Sequence, residues 1–230
     1  MARPNLSSRL GAMPLILAGP ILRQVTDSSV TVWLALKQNA TVSLKVSDTD
    51  QTNLIQPLMS GTLATTAIGT NLHIVAVTAR PQNILTTLTE NKLYFYNLSF
   101  SSTDPPLSAT FSQAISFQDT AIQVKDALAY GDRALPSFVL PPKDLNKLRL
   151  IHGSCRKPHA EGYDALATLH GLINQNASSP LDRPHQLLLT GDQIYADDVA
   201  DGLLLMLMDA SRTLLQWSET LVISRERLLP

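Results

Sequence analysis

Residues 30 to 46 read VTVWLALKQNATVSLKV. Val30, Val32, Leu34 and Leu36 occupy every second position, and Val42, Leu44 and Val46 resume the same period after a polar break. A period of two places alternate side chains on one face of an extended chain, so these segments predict two strands, each with one apolar face. Lys37 to Ala40 predicts a tight connection between them.

The same texture runs outward from Leu15 to about Phe117: short apolar segments, polar turn residues between them, and few helix-start signals. That is the pattern of an all-β sandwich. Leu72, Ile74 and Ala76 predict another apolar strand face, and Leu93 to Leu98, with Tyr94, Phe95 and Tyr96, predict an aromatic strand. Trp33 and these rings are expected to anchor the interior. A tyrosine pair in a late strand resembles the tyrosine corner of immunoglobulin-like folds. Thr103 to Pro106 and Pro136 to Pro142 are rich in proline and without periodicity, which predicts linkers. A boundary is expected near Leu140, with residues 1–140 forming the sandwich and its linker and residues 141–230 a second unit.

After that point the rhythm changes. Leu148, Leu150 and Ile151 predict a short strand running into His152-Gly153-Ser154-Cys155, and Gln186 to Thr190 a second strand running into Gly191-Asp192-Gln193-Ile194-Tyr195. Between them Tyr163, Leu166, Leu169, Leu172 and Ile173 are spaced for one face of a helix. Strand, helix, strand predicts a βαβ unit, whose right-handed crossover sets the strands parallel with their C-terminal ends on one edge. The fold expected from the whole pattern is a β domain followed by an α/β segment.

Composition removes several function classes. The chain has 230 residues, 44% hydrophobic and 16% charged, with a net charge of −1, so it is neither a disordered sequence nor a basic nucleic-acid binder. Cys155 is the only cysteine, which excludes an intrachain disulfide. Arg3 and Arg9 precede an apolar stretch that Pro14 interrupts, and this reads as the approach to a strand instead of a signal sequence. No run is long and apolar enough to predict a membrane span.

In open α/β sheets ligands bind beyond the carboxyl ends of the strands, so Cys155, Asp192 and Tyr195 are expected to meet. A thiolate, a carboxylate and a phenolate in one place repel unless a cation neutralises them. Deprotonating a phenol with an ordinary pKa of about 10 calls for a highly charged ion, and a trivalent metal such as iron meets that demand. Taken singly, each residue also has a structural reading: a small buried thiol, a turn-forming Asp, a packed ring. His73, His152 and His185 fit structural roles. Arg156 and His159 follow the cysteine closely, and Arg156 suits a phosphate because its guanidinium forks two hydrogen bonds.

The segments Gly153-Ser154-Cys155-Arg156-Lys157-Pro158-His159 and Thr190-Gly191-Asp192-Gln193-Ile194-Tyr195-Ala196-Asp197-Asp198 resemble the first two motifs of the PhoD-like alkaline phosphatases. That family is a branch of the metallophosphoesterases with an N-terminal fibronectin-like β domain. The resemblance implies a phosphatase or phosphodiesterase acting on a phosphate ester with Fe(3+) and Ca(2+). Cys155 and Tyr195 would bind iron, Asp192 would bridge the metals, and Arg156 would help to hold the phosphate. Catalysis would be metal-ion chemistry, with in-line displacement at phosphorus and cations stabilising the charge on the equatorial oxygens.

Further motifs of that family, an Asn or Asp followed by histidines, are not found here, and no histidine follows His185. Two parallel strands make a poor sheet without neighbours, and Leu203 to Met208, with Leu214, Leu215, Trp217, Leu221 and Val222, call for burial. The expectation is the N-terminal portion of such an enzyme, inactive alone, with a C-terminal half missing. Two other readings stay open: a non-enzymatic β-sandwich binding module carrying a degenerate phosphatase remnant, and a thiol hydrolase using Cys155 with His152 or His159.

Overall fold

A computed structural model describes residues 5–53, 55–83, 86–157, 163–200 and 202–219. Strands hold 36% of the chain and helices 20%, so the protein is mostly β, built around a curled antiparallel sheet. The strands are β1 (Ile16–Val25), β2 (Val30–Leu36), β3 (Thr41–Ser47), β4 (Met59–Ala64), β5 (Thr66–Gly69), β6 (Leu72–Pro81), β7 (Leu93–Thr103), β8 (Pro106–Thr110) and β9 (Ser137–Val139). A separate pair consists of β10 (Leu150–Ser154) and β11 (Gln186–Thr190). The helices are α1 (Leu6–Arg9), α2 (Phe111–Ile115), α3 (Val124–Ala127), α4 (Ala165–Gln175) and α5 (Leu203–Leu214). Among the described residues no helix is long and apolar enough to cross a membrane.

The sheet order is β1-β2-β6-β4-β3-β7-β8, with β5 on β6 and β9 on β7. Although β2 and β3 are consecutive, they do not pair: β2 lies between β1 and β6, and β3 between β4 and β7. Lys37 to Ala40 is therefore a crossing between two halves of the sheet. Lys37 stabilises it by donating from Nζ to the carbonyls of Leu10, Gly11 and Met13. The joint between the halves is β6, whose residues from His73 to Ala79 pair with β2 while Arg80 and Pro81 pair with β4. One ladder thus turns its corner inside a single strand.

The alternation read from residues 30 to 46 is the alternation of burial. Val30, Val32, Leu34, Leu36, Val42, Leu44 and Val46 have no exposed surface and belong to one apolar cluster. Each such side chain contributes about 1.5–3 kcal/mol of transfer free energy.

In β6 the expected face is the wrong one. Val75, Val77 and Ala79 are buried, whereas Ala76 is exposed and Leu72 and Ile74 are half-buried. The segment is apolar on both faces, so alternation alone allows either, and the register with β2 chooses by setting Val77 opposite Val32 and Val75 opposite Leu34. The same pleat puts Trp33, half-buried and opposite Ala76, on the outer face instead of in the interior.

The aromatic strand behaves as its composition requires. Tyr94, Phe95, Tyr96, Leu98 and Phe100 are buried, with the Tyr94 ring 5.8 Å from Phe138 and the Tyr96 ring 6.2 Å from Phe111. The Tyr94 hydroxyl accepts from the Thr89 N–H at 2.7 Å and donates to the Thr89 carbonyl at 3.3 Å. Burial alone drives the Tyr96 phenol well above its ordinary range.

The two stretches expected as linkers are parts of the sheet. Thr103 to Pro106 forms the turn from β7 to β8, and Pro136 to Pro142 contains β9, which pairs with Leu93 to Phe95 and buries Phe138 and Val139. Proline is compatible with this because β9 is short and its paired residues, Ser137 to Val139, contain none.

Beyond β9 the packing changes. All five residues of β11 are exposed, α4 buries none of its residues, and Leu204, Leu205 and Met206 of α5 are 64–71% exposed. At its C-terminal end α5 is fastened to the turn between β5 and β6: the N–H groups of Thr70 and Asn71 donate to the carbonyls of Leu215 and Leu214, and the Asn71 side chain donates to that of Thr213. The Trp217 indole donates to the Ile68 carbonyl at 2.8 Å. Carbonyls that a helix end leaves unpaired thus find donors on the sheet.

Candidate metal centre at the ends of β10 and β11

Five residues pair in parallel register from Leu150 opposite Gln186 to Ser154 opposite Thr190. The Cys155 N–H extends the ladder to the Thr190 carbonyl at 3.3 Å. Both strands therefore end at the same level, and the residues after them are held together.

Backbone conformation brings them closer still. Cys155 has φ +53° and Gly191 has φ +68°. A Cβ on Gly191 would lie 2.5 Å from Ser154 Oγ and 2.8 Å from Cys155 Sγ. Only glycine combines that conformation with that approach. The glycine of Gly191-Asp192 is what lets the second motif close on the first.

The thiol of Cys155 is exposed and lies 3.3 Å from Ser154 Oγ. Hydrogen bonds from Ser154, from the Asp192 backbone N–H and from the Tyr195 hydroxyl hold its pKa below the ordinary thiol value. The Tyr195 phenol moves the other way, raised first by that hydrogen bond to Cys155, then by desolvation and by the negative charges of Cys155, Asp192 and Asp197. One cluster thus holds a thiol inclined to lose its proton and a phenol inclined to keep it. A phenolate at Tyr195 requires a cation to offset those neighbouring negative charges.

Cys155, Asp192 and Tyr195 are thus brought together by the two strand ends. Among the described residues no group of three or more His, Cys, Asp or Glu side chains is placed to hold a metal ion, so any cation here would rest on the phenol as well. A set of one thiol, one phenol and one carboxylate would offer a cation one sulfur donor and two kinds of oxygen donor.

Arg156 is already engaged. Its Nε and Nη2 donate to the Asp164 carboxylate at 3.2 and 2.6 Å, which raises the arginine and lowers the aspartate. Asp164 is also the N-cap of α4, accepting from the Leu166 N–H at 3.1 Å. The sequence reading missed it, because a helix face counted from Tyr163 places Asp164 inside the helix, whereas an Asp immediately before Ala165 is an N-cap signal. Lys157 pairs with Asp198 of the second motif. Arg156, Lys157, Asp164, Leu166, Leu189 and the Cys155 thiol line a cleft of about 270 Å³.

His152 and His185 make hydrogen bonds within the strand pair and its flanking turn. His152 Nε2 is 2.7 Å from Thr190 Oγ1 across the strand pair, and His185 accepts from the Arg149 N–H at 3.0 Å and faces the Pro180 carbonyl at 3.1 Å. Desolvation lowers the His185 pKa. His152 is thus engaged with a hydroxyl of the neighbouring strand, and His159, the other base considered for a thiol hydrolase, lies outside the described residues. Tyr163, expected on the helix face, precedes α4 and is fully exposed.

Compared with known proteins, the chain matches no family model, no curated protein and no solved structure.

Proposed function

We propose that this chain carries the first two metal-binding motifs of a PhoD-like phosphoesterase, on a βαβ unit that follows a fibronectin-like β-sandwich. The observation that carries the reading is the meeting of Cys155, Asp192 and Tyr195 around the Cβ-free Gly191. The Tyr94 hydroxyl, bonded to the backbone of Thr89 at the start of a late strand, supports the sandwich part as a tyrosine corner does. The parallel pairing of β10 with β11, with α4 between them in sequence, supports the βαβ part.

In this reading Cys155, Tyr195 and Asp192 would hold the metal ions, iron and calcium by the family resemblance, with Cys155 and Tyr195 as iron ligands. When bound, the cations polarise a phosphate ester and stabilise charge on its oxygens. Three hydrogen-bond donors lower the Cys155 pKa and favour its thiolate, whereas Tyr195, whose pKa is raised, would have to lose its proton to ligate an ion, so metal loading would strengthen as pH rises. Arg156 sits beside the thiol and offers a forked guanidinium to the phosphate once a substrate oxygen displaces Asp164. The ligands expected from further motifs have no counterpart after His185, so phosphate-ester hydrolysis by this chain alone is expected to be absent.

Titration with Fe(3+) tests the assignment. The expected result is a visible absorption band from phenolate-to-iron charge transfer, abolished by Tyr195→Phe and shifted by Cys155→Ser. A band that persists in Tyr195→Phe, or iron binding indifferent to all three residues, would remove the basis of this reading.

A further inference from the structure

A cleft of about 520 Å³ separates the curled sheet from β11, lined on the sheet side by β1 and β9. Its lining mixes aliphatic residues, Ile21 and Leu22 on one side and Leu187 and Leu189 on the other, with polar ones that include Arg23, Arg183, Ser137 and His185. No acidic side chain lines it.

Arg183 is only 6% exposed. Its Nη1 donates to Ser137 Oγ at 2.9 Å and its Nη2 to the Ser137 carbonyl at 3.1 Å, while Nε is buried with no hydrogen-bond partner. The adjacent Asp182 is committed to Arg149 and Ser179, and among the described residues no carboxylate pairs with Arg183. His185 has both ring nitrogens within hydrogen-bond distance of backbone groups and supplies no negative charge. A guanidinium does not discharge on burial, so the site holds a desolvated positive charge that lacks an anion.

We propose that this cleft binds a small anionic amphiphile, its carboxylate held by Arg183 and Arg23 and its hydrocarbon chain lying against Ile21, Leu22, Leu187 and Leu189. A hydrocarbon alone would leave the guanidinium uncompensated, and a bare inorganic anion would leave the leucines of β11 in water. The volume lies within the range of small-molecule pockets. The cleft shares Leu187 and Leu189 with the cleft beside Cys155 but contains neither Cys155, Asp192 nor Tyr195, and the proposal needs no metal.

The test is titration of the whole chain with octanoate, octanol and inorganic phosphate, followed by calorimetry and by the Arg183 Nε–H resonance. Octanoate should bind and move that resonance, with octanol and phosphate about tenfold or more weaker, as a charge-assisted hydrogen bond plus apolar contact requires. Arg23→Gln, at an exposed position, should weaken octanoate by about two- to fivefold, and Arg183→Met should abolish the response. Octanol matching octanoate would reduce the cleft to an apolar groove, and phosphate matching octanoate would reduce it to a plain anion site. Either result, or an unmoved Nε–H resonance, overturns the proposal. If Arg183→Met does not fold, the wild-type resonance and Arg23→Gln decide.

Discussion

Leu34 in β2 and Leu188 in β11 are leucines in strands of similar length, yet Leu34 has no exposed surface and Leu188 is 47% exposed. Around Leu34 an alternating sequence needs one covered face, which β3, β6 and β7 help to supply within the first hundred or so residues. Around Leu188 the run Leu187-Leu188-Leu189 is apolar on both faces, the composition of a strand meant to be covered twice, and β11 is exposed throughout. Local pattern is satisfied by a local partner in one region, whereas the other presents a demand that its own neighbours do not meet.

The most direct way to break this contrast is to truncate both leucines. Leu34→Ala should cost about 2–5 kcal/mol in denaturant unfolding, and Leu188→Ala less than about 0.5 kcal/mol. Equal losses would mean that β11 is covered in solution and that the contrast is false.

Glycine substitutions sharpen it within the second region. Gly191→Ala forces a Cβ toward Ser154 and Cys155 in a left-handed conformation and should cost about 1–2 kcal/mol or more. Gly171→Ala, in α4 with open space around it, should stabilise by about 0.5–1 kcal/mol. Opposite signs for two Gly→Ala changes in one region would separate the packed strand ends from their loosely packed surroundings, and like signs would refute the proposed close approach.

In the sheet, Tyr94→Phe removes one hydroxyl and its bonds to the N–H, carbonyl and hydroxyl of Thr89, a loss of about 1–2 kcal/mol measured by thermal or chemical unfolding. An unchanged midpoint would show that this corner contributes nothing to stability.

The smallest effect concerns protons. Because hydrogen-bond donors lower the Cys155 pKa, alkylation of the metal-free protein should rise with pH through a midpoint below that of a free thiol. Tyr195→Phe removes one donor and should move that midpoint upward. A midpoint unchanged by the substitution would show that the phenol and thiol do not meet.

Where alternation was clean the sheet was legible, as at Val30 to Leu36, and where a segment was apolar on both faces it was not. The face of β6 depended on pairing with β2, and β9 was hidden because its flanking prolines resemble a linker while its three paired residues find β7. At the candidate site, the strand-end positions of Cys155, Asp192 and Tyr195 could be read from the chain. The grip of Asp164 on Arg156 and the unpaired Nε of Arg183 could not, since both lie outside regular strands and helices, where no periodicity encodes side-chain direction.

The amino-acid order by itself determined that strands of period two build a covered sheet and that two strand-ending motifs carry a thiol, a carboxylate and a phenol, because side-chain direction in a strand follows from position alone. Tertiary structure decided which face of β6 turns inward, how β6 joins the two halves, and how closely Gly191 approaches Cys155, because these depend on pairing between segments far apart in the chain. An interstrand register is a property of two sequences at once, and neither one states it.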